Sequence, residues 1–97
     1  MSRQHHYMKT EPIYYQDAVS GLKPFEVRKN DRDFQLYDYL YLQEWLGGYT
    51  GRETQFEVVY ILSDPRFCKE GFVIMGIKKI GEEHIVRGLR TLGKDVE

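Results

Sequence analysis

The sequence predicts a single α+β domain built on a twisted, mostly antiparallel β-sheet of five to six strands that closes into a barrel. Several segments alternate apolar and polar residues with the two-residue period of a strand, whereas one early and one late segment show helical spacing. Ninety-seven residues suffice for one hydrophobic core but not two, so we assign residues 1–97 to one domain. Barrel closure is favoured because it removes the exposed edges of short, twisted strands.

A short strand and a helix are predicted first. Residues 4–9, QHHYMK, form the strand. In the following segment Thr10 can cap a helix, Pro12 is tolerated in its first turn, and Gly21 suits the left-handed position after its end. The apolar residues at helical spacing are expected to pack on the body of the domain; they are Tyr14, Tyr15, Ala18, Val19 and Leu22.

The segment PFEVR, residues 24–28, changes to a period of two. Alternation predicts that Phe25 and Val27 enter the core while Glu26 and Arg28 share the opposite face. Residues two apart on one face of a strand lie about 7 Å from each other, so the long side chain of Arg28 can reach Glu26. We therefore expect an ion pair on the face away from the core.

Three further strands are predicted at 38–45, 54–62 and 72–79. The first places Leu40 and Leu42 on one face and aromatic residues on the other. The last is apolar on both sides, which is typical of a strand inside a sheet.

The connections carry turn-forming residues. In KNDRD, Asn30 and Asp31 suit tight or left-handed conformations. GGYTGR, residues 47–52, is predicted as a glycine-rich turn, and the loop at 63–71 has an expected turn at Asp64-Pro65.

The C-terminal segment has a weak helical pattern. Gly81 ends the last predicted strand, and Ile85, Leu89 and Leu92 then form a narrow apolar stripe. This predicts a short helix that is weakened by an internal glycine, so residues 81–97 are expected to be a peripheral helix or a frayed tail.

Composition limits the classes of function. Fourteen Lys and Arg against fifteen Asp and Glu give a net charge of −1, which excludes the global positive excess of a nonspecific nucleic-acid binder. Eight Tyr, five Phe and one Trp suit partly hydrated sheet faces or the stacking of flat ligands.

Cysteine and histidine content favours a cytoplasmic protein without metal or cofactor. Cys68 is the only cysteine, so an intramolecular disulfide is excluded. The polar start of the chain and the lack of an apolar run of roughly 20 residues predict neither secretion nor membrane insertion. The three histidines do not form a metal-binding pattern with Cys68.

Several motifs together resemble a known family. GLKPFEVR, residues 21–28, fits the pattern G-x-K-x-x-E-x-R, and HYMK at 6–9, FEVRKNDRDF at 25–34 and YTGR at 49–52 accompany it. With these blocks the chain resembles the ASCH domains of the PUA-like superfamily, in particular a small bacterial and phage branch. Relatives commonly have Gly-Asp before the third strand, where this chain has Tyr37-Asp38.

The resemblance implies a five- or six-stranded barrel with flanking helices and a cleft for RNA or a nucleotide-like ligand. The motif positions are Lys23, Glu26 and Arg28, to which the branch adds Asp31, Arg32, Tyr49, Thr50 and Arg52. We expect Arg28 to anchor the ligand, Glu26 to orient Arg28, and Lys23 and Arg32 to add positive charge. Tyr49 to Arg52 would form the facing lip.

Mixed charge favours a selective site. Asp31 and Asp33 lie between basic residues and would repel a nucleic-acid backbone, so one nucleotide or one loop fits better than a long electrostatic track.

Three alternatives remain open at the level of sequence. Some ASCH-like proteins are amidohydrolases of acylated cytidines, and here Lys23 and Glu26 would be the catalytic candidates. However, Glu26 stands where those enzymes have a threonine, and a carboxylate neighbour does not promote nucleophilic attack by a lysine. A ribonuclease using the same two residues is a second alternative, and a protein-interaction module using the aromatic surface is a third.

Overall fold

The computed structural model describes residues 3–85, which form a curled five-stranded sheet, a half-barrel, with one short helix. In chain order the elements are β1 His5–Thr10, α1 Pro12–Val19, β2 Phe25–Lys29, β3 Tyr39–Trp45, β4 Tyr49–Leu62 and β5 Phe72–Ile85. The strand order is β1-β3-β4-β5-β2, in which β1 and β3 run parallel and the other neighbours run antiparallel. The predicted α+β, barrel-like fold of mostly antiparallel strands is confirmed.

The sheet curls around its two longest strands. Between β4 and β5 the register shifts twice, at Glu53/Gln55 and at Val58/Tyr60, and such bulges bend a strand and increase its twist. Gly76 of β5 lies opposite the second shift, where an added Cβ would stand 3.2 Å from the Cβ of Tyr60. The missing side chain therefore allows the close approach of two strands at the bend.

The hydrophobic core fills the concave side of the sheet. Its buried strand residues are Met8, Leu40, Leu42, Phe56, Val58, Val73, Met75 and Ile77. As predicted, Leu40 and Leu42 share the inner face of β3, and β5 lies inside the sheet between β4 and β2. Phe34 and the buried side of α1 complete this core.

Helix α1 matches the predicted segment, with two corrections. Pro12 occupies the first turn and Gly21 has the predicted positive φ of 86°. Thr10, however, belongs to β1 and does not cap the helix; the N-cap is Glu11, and the Thr10 hydroxyl donates to Met8 O instead. Tyr14 is exposed, because a helix of eight residues covers the core with only a narrow stripe centred on Tyr15 and Ala18. Leu22 is exposed because it lies beyond the last helical residue, Val19.

Strand β2 has the predicted alternation but the opposite orientation. Phe25 and Val27 are 41% and 49% exposed, whereas Glu26 is only 2% exposed. The prediction that the two apolar residues enter the core was therefore wrong. Glu26 points inward because cationic side chains satisfy its carboxylate there, as described below.

The structure changes two of the three predicted turn assignments and keeps the third. Asn30 and Asp31 do not take left-handed conformations; among the non-glycine residues described, Asp33 and Tyr37 do, with φ of 52° and 73°. Glycine adopts such a conformation without strain, whereas a tyrosine at this position does not. The turn between β3 and β4 covers only 46–48, so YTGR begins strand β4, while the turn after Asp64 forms as predicted.

The last strand is longer than predicted. β5 continues through Ile85 and pairs there with β4, so the predicted helix does not begin at 82. The remainder of that predicted helix, residues 86–97, lies outside the described residues.

The length of the helix decides whether it could span a membrane. Among residues 3–85 no helix is long and apolar enough to span a bilayer, since α1 has eight residues and a span needs about 20.

A buried carboxylate holds the start of β1 against the chain before β3. Asp38 contacts the His6 ring Nε2 at 2.9 Å and accepts hydrogen bonds from the backbone N–H groups of Gln4 and Gln35. Burial raises the pKa of Asp38, but the bonds from His6, Gln35 and Gln4 outweigh that effect and hold it below the ordinary value of 3.8. Because the folded-state pKa is lowered, the ionised carboxylate stabilises the fold above about pH 4 and loses this effect as the pH falls through the lowered pKa.

We therefore expect Asp38→Asn to lower the free energy of unfolding at pH 7 by about 2 kcal/mol, since one acceptor oxygen becomes a donor that faces other donors. Urea denaturation from pH 7 down into the acid range should show the difference from wild type shrinking below pH 4. Glu70→Gln, in the exposed loop at 63–71, should leave stability unchanged. A difference that stays constant with pH would show that the charge of Asp38 does not contribute.

Candidate functional site

Two cations converge on one buried carboxylate. Lys23 Nζ lies 2.8 Å from Glu26 Oε2, and Arg28 Nε lies 2.9 Å from Glu26 Oε1. The Glu26 side chain is 3% exposed, whereas Lys23 and Arg28 are 16% and 24% exposed. A buried carboxylate is expensive unless it is paired and hydrogen-bonded, and here each oxygen has its own cation. We call Lys23, Glu26 and Arg28 the motif triad.

Arg28 also joins the two edge strands of the half-barrel. Its NH1 donates to Lys9 O at 3.1 Å and its NH2 donates to Thr10 Oγ1 at 3.1 Å. β1 and β2 are the two edges of the sheet. The planar guanidinium thus spans the gap between them, with several donors held in a fixed geometry.

Arg32 makes a second link to the same edge. Its NH1 donates to Tyr7 O at 2.9 Å. On the other side of β1, Gln4 O accepts the N–H of Tyr39, and carbonyls of alternate residues point to opposite edges of a strand. The carbonyls of Tyr7 and Lys9 therefore lie on the open edge, where arginine side chains replace the backbone donors of a neighbouring strand.

An open cleft of about 620 Å³ lies along this junction. The lining comes from the end of β1, helix α1 and the segment through β2, and consists of Lys9, Thr10, Glu11, Tyr14, Asp17, Leu22, Lys23, Phe25, Glu26, Val27 and Arg28. The motif triad supplies charge, and aromatic and aliphatic side chains supply apolar surface. The lysine of the triad lies near two of the rings, with Nζ 5.7 Å from the Tyr14 centroid and 5.1 Å from that of Phe25.

The predicted facing residues form a second polar group. Thr50 Oγ1 donates to Glu44 Oε1 at 2.8 Å, and Arg52 NH1 lies 3.3 Å from Glu44 Oε2. Arg52 NH2 also donates to Gln16 of α1 at 3.2 Å, and its guanidinium lies 5.0 Å from the Tyr15 ring centroid. This group therefore ties β3 and β4 to the helix.

The two polar groups are neighbours in the sheet but do not merge into one cleft. Thr10, which accepts from Arg28, is paired in register with Glu44, and both are buried. Side chains directly opposite each other on adjacent strands lie about 5 Å apart at Cβ. The described lining of the cleft nevertheless contains neither Thr50 nor Arg52.

The site residues predicted from sequence do not all come together in one site. Lys23, Glu26 and Arg28 come together at the cleft, and Thr50 and Arg52 form the second group. Arg32 lies at the edge of β1, and Tyr49 packs edge-on against Trp45, with centroids 4.8 Å apart. Asp31 is exposed and is outside the described lining of the cleft.

Sequence reasoning missed the contributions of β1 and α1. Tyr14 was assigned to the packed side of the helix, yet it is 48% exposed and lines the cleft. The carbonyl of Lys9 and the hydroxyl of Thr10 carried no signal, because a backbone acceptor is present at every residue. The acidic residue Glu44 within a mostly apolar and aromatic strand was a signal in the sequence that could have indicated this group.

Metal binding finds no support in this part of the chain. Among the side chains that the structure describes, those of residues 3–81, no three of His, Cys, Asp or Glu are arranged to hold a metal ion.

Comparison with known proteins identifies a family. Residues 5–77 match the model described as "Domain of unknown function (DUF3850)". The matched region is about three quarters of the chain and includes all the described residues that line the cleft. None of the curated proteins matches the chain.

The geometry of the motif triad leads to a stability prediction. Glu26→Gln should lower the free energy of unfolding by about 3 kcal/mol, because two partly buried cations lose their shared anion. Equilibrium urea denaturation at pH 7 measures this loss.

A matched control exists in the loop after β4. Asp64 pairs with Arg66 at the same i, i+2 spacing, with 2.7 Å between Oδ2 and NH2, but on the exposed surface. Asp64→Asn should leave unfolding close to wild type, because exposed ion pairs are weak. Equal losses in the two variants would contradict a special role for the buried triad.

Proposed function

The chain belongs to the DUF3850 family, and we propose that it binds a nucleotide-like ligand, or one unpaired base of an RNA, in the cleft beside the motif triad. The observation that carries this proposal is the convergence of Lys23 and Arg28 on the buried carboxylate of Glu26 in an open cleft of about 620 Å³. A cleft of this volume falls within the range of about 300–1,000 Å³ that is usual for small-molecule sites.

Unused hydrogen-bond donors support recognition of a ligand. A lysine ammonium has three N–H donors and an arginine guanidinium has five. Lys23 uses two of its donors in hydrogen bonds to Glu26 and to Phe25 O. Arg28 uses three of its donors, one each to Glu26, Lys9 O and Thr10. One donor of Lys23 and two of Arg28 are left for acceptors on a ligand, such as the carbonyl and ring nitrogens of a base.

Charge balance favours a base over a phosphate backbone. The described residues of the cleft lining include three cations and three anions, namely Lys9, Lys23 and Arg28 against Glu11, Asp17 and Glu26. A polyanion gains little from a site with no excess positive charge, whereas a base offers both donors and acceptors with no net charge. This balance is also consistent with the net charge of −1 for the whole chain.

Aromatic side chains provide stacking surface for a flat ligand. Tyr14 is 48% exposed and Phe25 is 41% exposed, and both line the cleft. Stacking on aromatic rings stabilises bases regardless of their identity. In this proposal the rings supply affinity and the donors of the motif triad supply orientation.

Binding has more support than catalysis. Lys23 donates to a carboxylate and to a backbone carbonyl at 2.8 Å each, which suits a hydrogen-bond donor rather than a nucleophile. The Thr10 hydroxyl donates to Met8 O and accepts from Arg28, so its hydrogen is not free to take part in a catalytic step. The amidohydrolase and ribonuclease alternatives suggested by the ASCH resemblance therefore rank below simple binding.

Tyr14→Ala tests the proposal without disturbing the triad. Affinity for nucleosides should fall about tenfold, because a base stacked on an aromatic side chain contributes about 1–3 kcal/mol. The melting temperature should change little, since an exposed side chain contributes little packing. Amide NMR titrations with the four ribonucleosides and their 5′-monophosphates measure both the affinity and the location of the site.

The matched control is Tyr60→Ala, an exposed tyrosine near the end of β4 and outside the described cleft lining. It should bind as wild type does. The proposal is rejected when none of the eight compounds shifts the amides of residues 23–28.

A further inference from the structure

The outer face of β1, β3 and the start of β4 carries an aromatic surface that the cleft does not use. Its rings come from alternate positions of paired strands, with Tyr7 opposite Tyr41, His5 opposite Tyr39, and Trp45 opposite Tyr49. We call these six residues the aromatic face. Tyr7 and Tyr49 are 41% and 39% exposed, so large ring surfaces remain open to solvent.

Contacts among these rings hold them in place. Tyr7 and Tyr41 stack with centroids 4.4 Å apart and an interplanar angle of 9°. The Tyr41 hydroxyl contacts His5 Nδ1 at 2.8 Å and accepts from Gln55 Nε2 at 3.2 Å. A surface ordered before binding loses little side-chain entropy when a partner stacks on it.

Cations lie between the aromatic rings. Lys9 Nζ is 4.1 Å from the centroid of Trp45, and the Arg3 guanidinium is 4.9 Å from that of Tyr39. Arg32 approaches from the edge of β1, where it binds Tyr7 O. Glu57 pairs with Arg3 at 2.9 Å, and Glu53 accepts from Gln43 of β3 at 2.8 Å. Lys9, which also lines the cleft, and Arg32 are then the cations of this region that can meet phosphates.

The aromatic face is continuous with the cleft. Lys9 lines the cleft and also covers the ring of Trp45. The carbonyls of Tyr7 and Lys9 receive the two arginines of the β2 side. A long ligand that extends from the cleft across β1 would therefore contact the aromatic rings directly.

We propose that the aromatic face binds the nucleotides that flank the base held in the cleft, so that the ligand is a single-stranded oligonucleotide rather than a free nucleotide. This inference rests on the proposed function for the cleft. Aromatic rings that alternate with cations on the outside of a sheet are suited to stacking bases while the cations meet phosphates. From Arg3 to Lys9 the extended chain covers roughly 20 Å, which is room for several nucleotides.

Single strands are the form that fits. Bases in a duplex are stacked on each other and cannot also stack on protein rings, so duplexes of the same length should bind weakly. Because the aromatic face carries few cations, we expect the affinity for an oligonucleotide to depend only weakly on salt concentration. About two phosphate contacts give a slope of about −1.4 in log K against log salt concentration.

The experiment measures fluorescence anisotropy of 5′-labelled random hexanucleotides of RNA and of DNA, with a hexamer duplex and unlabelled mononucleotides as competitors. The variants are Tyr7→Ala, the ring-retaining Tyr7→Phe, Arg28→Ala in the cleft, and the control Tyr60→Ala. Circular dichroism checks that each variant is folded before binding is measured. Comparing the RNA hexamers with the DNA hexamers shows which kind of single-stranded nucleic acid the protein binds.

The expected result is that a hexamer of one or both kinds binds at least tenfold more tightly than mononucleotides. Tyr7→Ala should weaken hexamer binding about tenfold and leave mononucleotide binding unchanged. Tyr7→Phe and Tyr60→Ala should behave as wild type, whereas Arg28→Ala should weaken both ligands.

Other outcomes separate the two proposals. Equal binding of hexamers and mononucleotides, unaffected by Tyr7→Ala, would overturn the role of the aromatic face and leave the cleft proposal standing. Hexamer binding that depends on Tyr7 but not on Arg28 would support the aromatic face and reject the cleft. Absence of all nucleotide binding would overturn both, and the aromatic face would then be tested as a protein-docking surface.

Discussion

The buried carboxylate of Glu26 is the charge on which the arrangement of the two sheet edges depends. It accepts one cation on each oxygen, Lys23 on one and Arg28 on the other. This pairing holds the Arg28 guanidinium in a position from which two other N–H groups donate to Lys9 O and Thr10 Oγ1 of β1. Without the anion, two neighbouring cations would repel each other at the same place, and the guanidinium would lose the partner that fixes its plane.

Closure of the half-barrel by arginines, instead of by strand pairing, explains why a cleft exists. Backbone pairing of β1 with β2 would bring those strands to about 4.8 Å and leave no space between them. The side chains of Arg28 and Arg32 span a wider gap while still satisfying the carbonyls of the β1 edge. The same contacts therefore protect an exposed edge and keep a polar opening of about 620 Å³.

The cleft and the aromatic face meet along β1, where Lys9 borders both. The inward residues of this strand, Met8 and Thr10, are buried, and its outward residues Tyr7 and Lys9 are exposed. The cleft offers donors with no net charge, which suits a base, and the outer face offers rings and cations, which suit its neighbours along a strand. Membership in the DUF3850 family places both surfaces within one matched region, residues 5–77, and the proposed functions assign them complementary parts of one ligand.

The amino-acid sequence by itself determined where the strands and the first helix lie, because period-two and helical patterns are local properties; β1, β3 and α1 fall close to their predicted segments. It also placed Glu26 and Arg28 together, since residues two apart always share a strand face. Only the tertiary structure decided that this face points inward. Alternation defines two faces without saying which is buried, and that choice depends on Lys9, Thr10 and the other groups that distant segments bring to the site. The position of Arg52, which donates to Gln16 of α1, and the left-handed backbone at Tyr37, whose N–H donates to Val58 O, have the same origin, because each involves contacts with residues far away in the chain.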